Sequence, residues 1–251
     1  MSEVEQIIEA LPGGIGVTHL KVYESLAPDG LAGGSPHMHF ACSEAYLVIR
    51  GVGSVQTLSS RGFREIPLQP GSLVWFTPGV IHRLINGDGE LEIFAVMENA
   101  GLPEHGDSIL TFPVRYLAEE TTYLKAASLD SAESSGKSWV DRAQRRRDLA
   151  VEGYQELRRE FERVGSLQDF YDRAVDIIRL KERDWRDLWE SGTARTILRT
   201  EGFLDKLRIG AGDYLNQGRV FQFPLKTSAE DRKLGMCGTL RPYLPEGALI
   251  V

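Results

Sequence analysis

Two stretches of the chain decide its predicted fold: residues 37–44 read HMHFACSE, and residues 71–86 read GSLVWFTPGVIHRLIN. His37 and His39 are two positions apart, and side chains with that spacing project from the same face of a β-strand. Glu44 opens the next β-prone run after a short loop. The first stretch therefore predicts two imidazoles and one carboxylate that face a common point.

The second stretch supplies a third imidazole. Pro78 and Gly79 predict a tight turn, and His82 follows on a β-prone run where its side chain is expected to point inward. Three neutral imidazoles and one carboxylate suit one divalent transition metal, such as Fe, Mn, Ni, Zn or Cu, and leave one or two coordination positions open. The predicted ligands of this single ion are His37, His39, Glu44 and His82.

Short β-prone runs separated by glycine and proline surround both stretches. Seven or eight short strands with this spacing predict an antiparallel sandwich or barrel. The predicted strands cover residues 16–23, 37–40, 44–49, 54–58, 63–68, 73–76, 81–86 and 91–98. A short helix is expected before them, over residues 1–10.

Together the two stretches resemble the paired motifs of the cupin superfamily, one with HxH and a following Glu, the other with PxG followed by His and Asn. The four predicted ligands occupy the ligand positions of those motifs, and the framing positions are matched by Gly51, Gly71, Gly79 and Asn86. The chain departs from the pattern in two loops, with Leu31 at the position of the first motif's leading glycine and Thr77 at the position of the second motif's usual proline.

The resemblance implies a mainly β fold with an α-helical C-terminal extension. Its β part is expected to be one antiparallel cupin β-barrel, a double-stranded β-helix or jelly roll, over residues 12–125. Homodimerisation is a further expectation from the family. The resemblance says nothing about residues 138–251.

Composition and period change in the C-terminal part of the chain. Residues 126–137 are rich in Ala, Ser, Asp and Gly and predict a linker. Residues 138–251 are expected to be mostly helical. Their first helix carries an apolar stripe at seven-residue intervals, interrupted by Arg147, and ends at Gly165.

A second helix is predicted to complete a helical hairpin. Ser166 and Asp169 resemble its N-terminal capping pair, and its apolar positions continue to Leu188. The apolar stripe of the hairpin needs cover, from the barrel or from a second subunit. A third helix is expected over residues 193–207, and the tail over residues 208–251 is predicted to be irregular with possible short strands.

Four further side chains are predicted to line a substrate pocket beside the metal, although they could instead fill the barrel. Tyr46 is the best placed of them because it alternates with Glu44. Arg83 is expected at the exposed surface, and Cys42 is expected to be an inert loop residue. The predicted pocket residues are Tyr46, Gln56, Trp75 and Phe94.

The resemblance implies metal-dependent chemistry on a small organic molecule, and oxygenase-type chemistry is favoured. A metal-dependent isomerase or lyase is the alternative within enzymes, but it needs a proton shuttle that the sequence does not single out. The third possibility is a non-catalytic module that binds a sugar or a carboxylate through its metal.

Charge and composition exclude several classes of protein. The chain has 251 residues and a formal net charge of -7, which argues against a nucleic-acid or anionic-membrane surface. No run approaches the roughly 18 apolar residues of a membrane span. The first residues are acidic, unlike a secretory signal, and the two cysteines are far apart. A cytoplasmic, reducing location is therefore expected.

Overall fold

The computed structural model describes residues 10–130, 138–225 and 232–251. The helix predicted over residues 1–10 lies outside the described residues except for its last position. Residues 131–137, the larger part of the predicted linker, lie outside them as well. The first part of that linker is helical, because a helix continues to Ala127.

The strands of the described chain follow the sequence pattern closely. They are β1 (Gly16–Val22), β2 (His37–Met38), β3 (Glu44–Arg50), β4 (Gly53–Ser59), β5 (Gly62–Leu68), β6 (Leu73–Phe76), β7 (Ile81–Asn86), β8 (Glu92–Met97), β9 (Ile109–Leu110), β10 (Phe221–Gln222), β11 (Lys233–Leu234), β12 (Gly238–Pro242) and β13 (Leu249–Ile250). Each predicted strand is present, and the second ends at Met38 rather than at Phe40.

Two large antiparallel sheets form the β part of the fold. One has the strand order β11-β12-β1-β8-β3-β6, and the other has the order β5-β4-β7-β2-β9. A small separate sheet pairs β10 with β13. The predicted antiparallel β fold with a helical C-terminal region is therefore confirmed.

Apolar side chains from both sheets fill the barrel interior. On β3, the side chains of Glu44, Tyr46 and Val48 are buried, while the alternate positions are more exposed. This alternation places one face of the strand in the interior. The buried interior cluster contains Leu20, Val22, Tyr46, Val48, Val55, Leu68, Phe76, Leu84, Leu91, Ile93, Ala95 and Cys237.

The helices are α1 (Val114–Leu117), α2 (Glu120–Ala127), α3 (Trp139–Val164), α4 (Gln168–Ile178), α5 (Glu182–Trp189) and α6 (Arg195–Arg208). Helix α3 begins with a capping box between Ser138 and Asp141, and it ends at Gly165, whose φ of 72° is left-handed. The predicted glycine stop is confirmed.

The second helix of the hairpin differs from its prediction. A 3-10 turn over Arg179–Lys181 separates α4 from α5. The capping pair of Ser166 and Asp169 is wrong, because the N-cap is Leu167 and no side chain caps it. The Ser166 hydroxyl instead accepts a hydrogen bond from the backbone N–H of Gln168 at 3.1 Å.

A second apolar core lies between the helices and the outer face of the five-stranded sheet. Leu58 and Ile81 from the sheet pack in one cluster with Ala150 and Tyr154 of α3. Phe170 of α4 joins the same cluster. The apolar stripe of the helical hairpin is thus covered by the barrel of its own chain.

The C-terminal tail contributes to the barrel wall. Strand β12 pairs with β1 along five residue positions, from Thr18 opposite Pro242 to Val22 opposite Gly238. Strand β11 then pairs with β12. The boundaries proposed for a barrel domain at residues 12–125 and a helical domain at residues 138–251 stay a prediction, and these strands join the two parts in one sheet.

Candidate metal centre

Both sheets bring the four predicted ligands to one point inside the barrel. His37 on β2 lies directly opposite His82 on β7 in the strand register. Glu44 is the first residue of β3, and His39 follows the end of β2. One ligand atom from each of the four lies within 4.8 Å of the others. None of the four residues is more than 7% exposed.

Each imidazole is held through its Nδ1 atom by a backbone carbonyl. The Nδ1 atom of His37 lies 2.9 Å from the carbonyl oxygen of Ser35, and that of His82 lies 3.0 Å from the carbonyl oxygen of Val80. The Nδ1 atom of His39 is bonded to the carbonyl oxygen of Asp107. A carbonyl oxygen only accepts, so each Nδ1 carries the proton and each Nε2 presents a lone pair. Metal-binding histidines are oriented in this way.

When all three imidazoles are neutral, their unprotonated Nε2 atoms face one another. The Nε2 atoms of His37 and His82 are 3.1 Å apart. The Nε2 atom of His82 lies 3.1 Å from Glu44 Oε2, and the buried Nε2 atom of His39 makes no hydrogen bond within the described chain. Buried lone pairs this close repel one another unless a cation lies among them. The donor set therefore fits a divalent metal ion.

The electrostatics of the cluster keep its ligands in different charge states. Burial, reinforced by His82 and His39, holds the pKa of His37 well below its usual value. Burial acts against the ionised form of Glu44, but the neighbouring imidazoles of His39 and His82 outweigh it and lower the pKa of that carboxyl. Burial also opposes protonation of His39, yet Glu44 raises its pKa overall. A bound cation would take the place of the proton that Glu44 favours on His39.

Three further side chains form the walls around the ligands. The ring of Phe76 stacks on that of His82 with centroids 4.1 Å apart. The Tyr46 hydroxyl donates to Glu44 Oε2 at 3.3 Å, and burial together with this carboxylate raises the pKa of Tyr46 well above its usual value. The Sγ atom of Cys237 lies 3.9 Å from His37 Nδ1.

Only one predicted pocket residue faces the ligands. Tyr46 lies in the interior, as described above. Trp75 is 71% exposed, because it pairs with Ala45 on the outer side of β3. Phe94 also lies on that outer side, against the ring of His19 at 5.5 Å. Gln56 is buried outside the interior, where its amide donates to Glu65 at 3.3 Å.

Sequence reasoning did not connect Asp107 and Cys237 with the ligands. Phe76, which pairs with Glu44 and so shares its inward side, is the aromatic residue of β6 that lies in the interior. Asp107 and Cys237 carry no local signal, since they reach the site from distant parts of the chain. Arg83 corrects another prediction: it is fully buried and bonded to Asp29 rather than exposed.

Comparison with known proteins bears on the same segment. Residues 22–97 match the family described as "Cupin domain". No curated protein matches the chain.

Several solved structures resemble part of the chain at low sequence identity. The structure of KdgF from Halomonas sp. is 18% identical, with a TM-score of 0.24, over 27% of this chain and 57% of that one. A predicted oxalate decarboxylase from Thermotoga maritima is 22% identical, with a TM-score of 0.25, over 34% and 64%. The Drosophila melanogaster CENP-C cupin domain is 16% identical, with a TM-score of 0.28, over 35% and 62%.

The chain thus spans between 57% and 64% of the length of these three structures. These similarities assign no activity, substrate or partner to this chain. The matched family segment contains all four clustered residues, from His37 to His82. Residues 22–97 therefore match a cupin domain, and the described chain adds helices and a C-terminal strand hairpin to that segment.

Proposed function

We propose that His37, His39, Glu44 and His82 hold one divalent transition metal inside the barrel. The observation that carries the proposal is the set of three Nδ1 atoms anchored on carbonyl oxygens, which turns three Nε2 lone pairs toward one carboxylate. This donor set admits Fe, Mn, Ni, Zn or Cu.

We further propose that the protein is a metal-dependent enzyme acting on a small organic molecule, with oxygenase-type chemistry. When bound, a redox-active ion supplies the electron transfer that oxygenation needs, and any of these ions supplies Lewis-acid polarisation. Burial raises the pKa of both Tyr46 and Cys237, so neither of these two groups is a ready base for isomerase or lyase chemistry. This supports the oxygenase-type proposal.

The surrounding residues have defined tasks in this proposal. The Tyr46 hydroxyl donates a hydrogen bond to Glu44 and so fixes the orientation of that carboxylate. Phe76 covers one face of the His82 ring and excludes water from it. Both act on ligands, and neither needs to transfer a proton during the reaction.

Two alternatives remain open as proposals. An isomerase or lyase would use the ion as a Lewis acid and requires a base that a substrate or a movement of the chain brings in. A non-catalytic module would bind a sugar or carboxylate ligand at the ion. The low exposure of all four ligands favours a small ligand in either case.

Metal loading of purified protein tests the proposed site. Wild-type protein is expected to bind one equivalent of metal, and His82→Ala is expected to lose it because a ligand is removed. His19→Ala is the matched control, since His19 is bonded to Glu92 outside the barrel interior. Equal loading of the two variants would contradict the ligand assignment.

Oxygen uptake by Fe(II)-loaded protein then tests the reaction type. A panel of small acids, phenols and diketones is expected to contain a compound that stimulates oxygen consumption in the wild type and not in His82→Ala. Turnover without oxygen consumption would favour the isomerase or lyase. Tight binding without turnover under any metal would favour the binding module.

A homodimer and a cytoplasmic location complete the proposal. Both cysteines of the chain are free and buried, which suits a reducing compartment. Helix α6 leaves apolar side chains such as Leu198 and Leu204 exposed, and a second subunit could cover them. Among the described residues, no helix has the length and apolarity to cross a membrane.

A further inference from the structure

Asp107 contacts the proposed metal ligand His39 from outside the two sequence motifs. It sits between a 3-10 turn over Pro103–His105 and strand β9, and its side chain is fully buried. Its backbone N–H donates to the carbonyl oxygen of Leu102 at 3.0 Å. The backbone of Asp107 is therefore held in place independently of the contacts that its side chain makes.

Asp107 holds the start of the loop that joins two ligands, His39 and Glu44. Its carbonyl oxygen accepts the Nδ1 proton of His39. Its Oδ1 atom accepts hydrogen bonds from the backbone N–H groups of Phe40 and Ala41, each at 3.0 Å. The chain from His39 to Glu44 thus starts on a framework that one residue provides.

The second carboxylate oxygen of Asp107 accepts no hydrogen bond from an N–H group. Its Oδ2 atom is buried and lies 3.9 Å from His39 Nδ1, and the thiol of Cys42 is the other group beside the carboxylate. An asparagine side chain caps backbone N–H groups as well as an aspartate does. Capping alone therefore does not explain a buried carboxylate, because an unsatisfied buried charge is unfavourable.

We propose that Asp107 is a positioning residue for the metal centre, which orients His39 and strengthens it as a ligand through the negative charge beside its Nδ1–H. The inference rests on the proposed function, since it assumes that the cluster binds a metal. A carboxylate near the far nitrogen of a coordinating imidazole increases the basicity of the coordinating nitrogen. The loop contacts add geometric control, because they fix the backbone directly after His39.

Asp107→Asn removes the negative charge of the side chain but keeps an oxygen that can accept the backbone hydrogen bonds. The amide oxygen can still accept from Phe40 and Ala41, while the amide N–H₂ group replaces the Oδ2 atom and faces the His39 Nδ1–H as a second donor. Loss of such a partner lowers metal affinity by about 10–100-fold. Competition between apo protein and a fluorescent chelator for Zn(II) measures this change.

Glu92→Gln is the matched control for the loss of one buried carboxylate. Glu92 is 9% exposed and pairs with His19 and Lys21 away from the ligands. The proposal expects Zn(II) affinity to fall in Asp107→Asn and to stay at the wild-type value in Glu92→Gln. Wild-type affinity in Asp107→Asn, or an equal fall in both variants, would overturn the role of Asp107.

The absorption spectrum of Co(II)-loaded protein adds a readout that a purely structural role would not move. Asp107→Asn is expected to shift the d–d bands while the apo protein unfolds as cooperatively as the wild type. If Asp107→Asn does not fold, Asp107→Glu keeps the charge but displaces it by one methylene, and the bands should shift in that variant. Unchanged bands and affinity in Asp107→Glu would then refute the proposal.

Metal binding by the wild-type protein distinguishes failure of the proposed metal site from failure of the role proposed for Asp107. Failure of wild-type protein to bind Zn(II) or Co(II) would contradict the proposed metal function itself. Metal binding by the wild type with no effect at position 107 contradicts only the assignment of Asp107.

Discussion

Arg83 and Arg147 are the largest side chains that the fold buries completely or nearly so. The Arg83 guanidinium donates to both carboxylate oxygens of Asp29, and its Nε donates to the carbonyl oxygen of Gly34 at 3.2 Å. Arg147 donates to the carbonyl oxygens of Ser25 and Leu26, each at 2.8 Å. Arg83 therefore ties the segment before β2 to strand β7, and Arg147 ties it to helix α3.

These two burials could not be predicted from the sequence. Arg83 lies beside a ligand in a motif, and its partner Asp29 is 54 positions earlier. Arg147 interrupts an apolar stripe, and its carbonyl partners are more than 100 positions earlier. Local pattern assigns such residues to the surface, because only a tertiary contact makes a buried guanidinium favourable.

Asp29→Asn is expected to destabilise the protein by about 2 kcal/mol at pH 7, since the buried guanidinium loses its counter-charge. Burial opposes ionisation of Asp29, but Arg83 outweighs it and lowers the pKa of the carboxyl. A lowered pKa contributes stability above the ordinary carboxyl range and loses it as pH falls. The stability gap between wild type and variant should therefore shrink between pH 7 and pH 3.

Urea unfolding of both proteins at the two pH values measures that gap. A gap that stays constant or widens on acidification would contradict the assigned pairing. Glu24 is exposed in the same segment as Asp29, so Glu24→Gln is a control that also removes one carboxylate and should show little change in stability at either pH.

The four proposed metal ligands could be predicted from the sequence, whereas most of the pocket residues could not. Strand alternation put His37 and His39 on one face, and the resemblance to the paired cupin motifs joined Glu44 and His82 to them. Trp75 was assigned to the pocket wrongly, since neighbouring aromatics on β6 point to opposite sides and only the pairing of Phe76 with Glu44 decides between them.

At the scale of elements, the packing of α3 on the five-stranded sheet depends on a close approach at Gly153. A Cβ atom there would lie 2.2 Å from the carbonyl oxygen of Thr111 and 2.3 Å from the carbonyl carbon of Phe112. Both are backbone atoms, which cannot turn aside as a side chain can. The helix therefore contacts the chain after β9 without any side chain between them.

Gly153→Ala is expected to lower the free energy of unfolding by about 1–3 kcal/mol, although alanine is the better helix former, because the added methyl group overpacks the contact. Gly202→Ala in α6 is the matched control. A Cβ atom at Gly202 meets nothing within 4 Å, so the same substitution should stabilise by up to about 1 kcal/mol.

Chemical denaturation of the two alanine variants tests this contrast. Stabilisation by both substitutions would show that α3 does not approach the sheet as closely as described. The comparison removes helix propensity as an explanation, since both sites replace glycine by alanine inside a helix.

The break between α4 and α5 shows the limit of periodicity for elements. The apolar spacing predicts one helix to Leu188, and residues 179–181 contain no glycine or proline. The change to a 3-10 turn at Arg179–Lys181 is consistent with the need to place Ile178 and Trp185 in the same core. Such a break arises from packing, which a single periodic pattern does not contain.

At the scale of the whole molecule, the C-terminal tail completes the barrel beside the cluster. The turn between β11 and β12 carries Met236, whose carbonyl oxygen accepts from the Ser35 N–H at 3.0 Å. The following Cys237 reaches the His37 ring. The tail could not be placed from sequence, because β12 pairs with a strand more than 200 residues earlier.

Truncation is expected to expose the metal centre. A chain that ends at Leu225 lacks β11 and β12, so it should unfold at a lower temperature and release bound Zn(II) to a chelator faster than the full chain. A chain that ends at Pro242 keeps both strands and serves as the control. Equal release rates from the two truncated chains would contradict a wall built by the tail.

X-ray absorption at the zinc edge of protein loaded with one equivalent of Zn(II) tests the metal centre most directly. The account predicts scattering from three imidazoles with Zn–N distances of about 2.0–2.1 Å and from one carboxylate oxygen, and the loss of one imidazole in His82→Ala. A wild-type spectrum without imidazole scattering, or one that His82→Ala leaves unchanged, would contradict it.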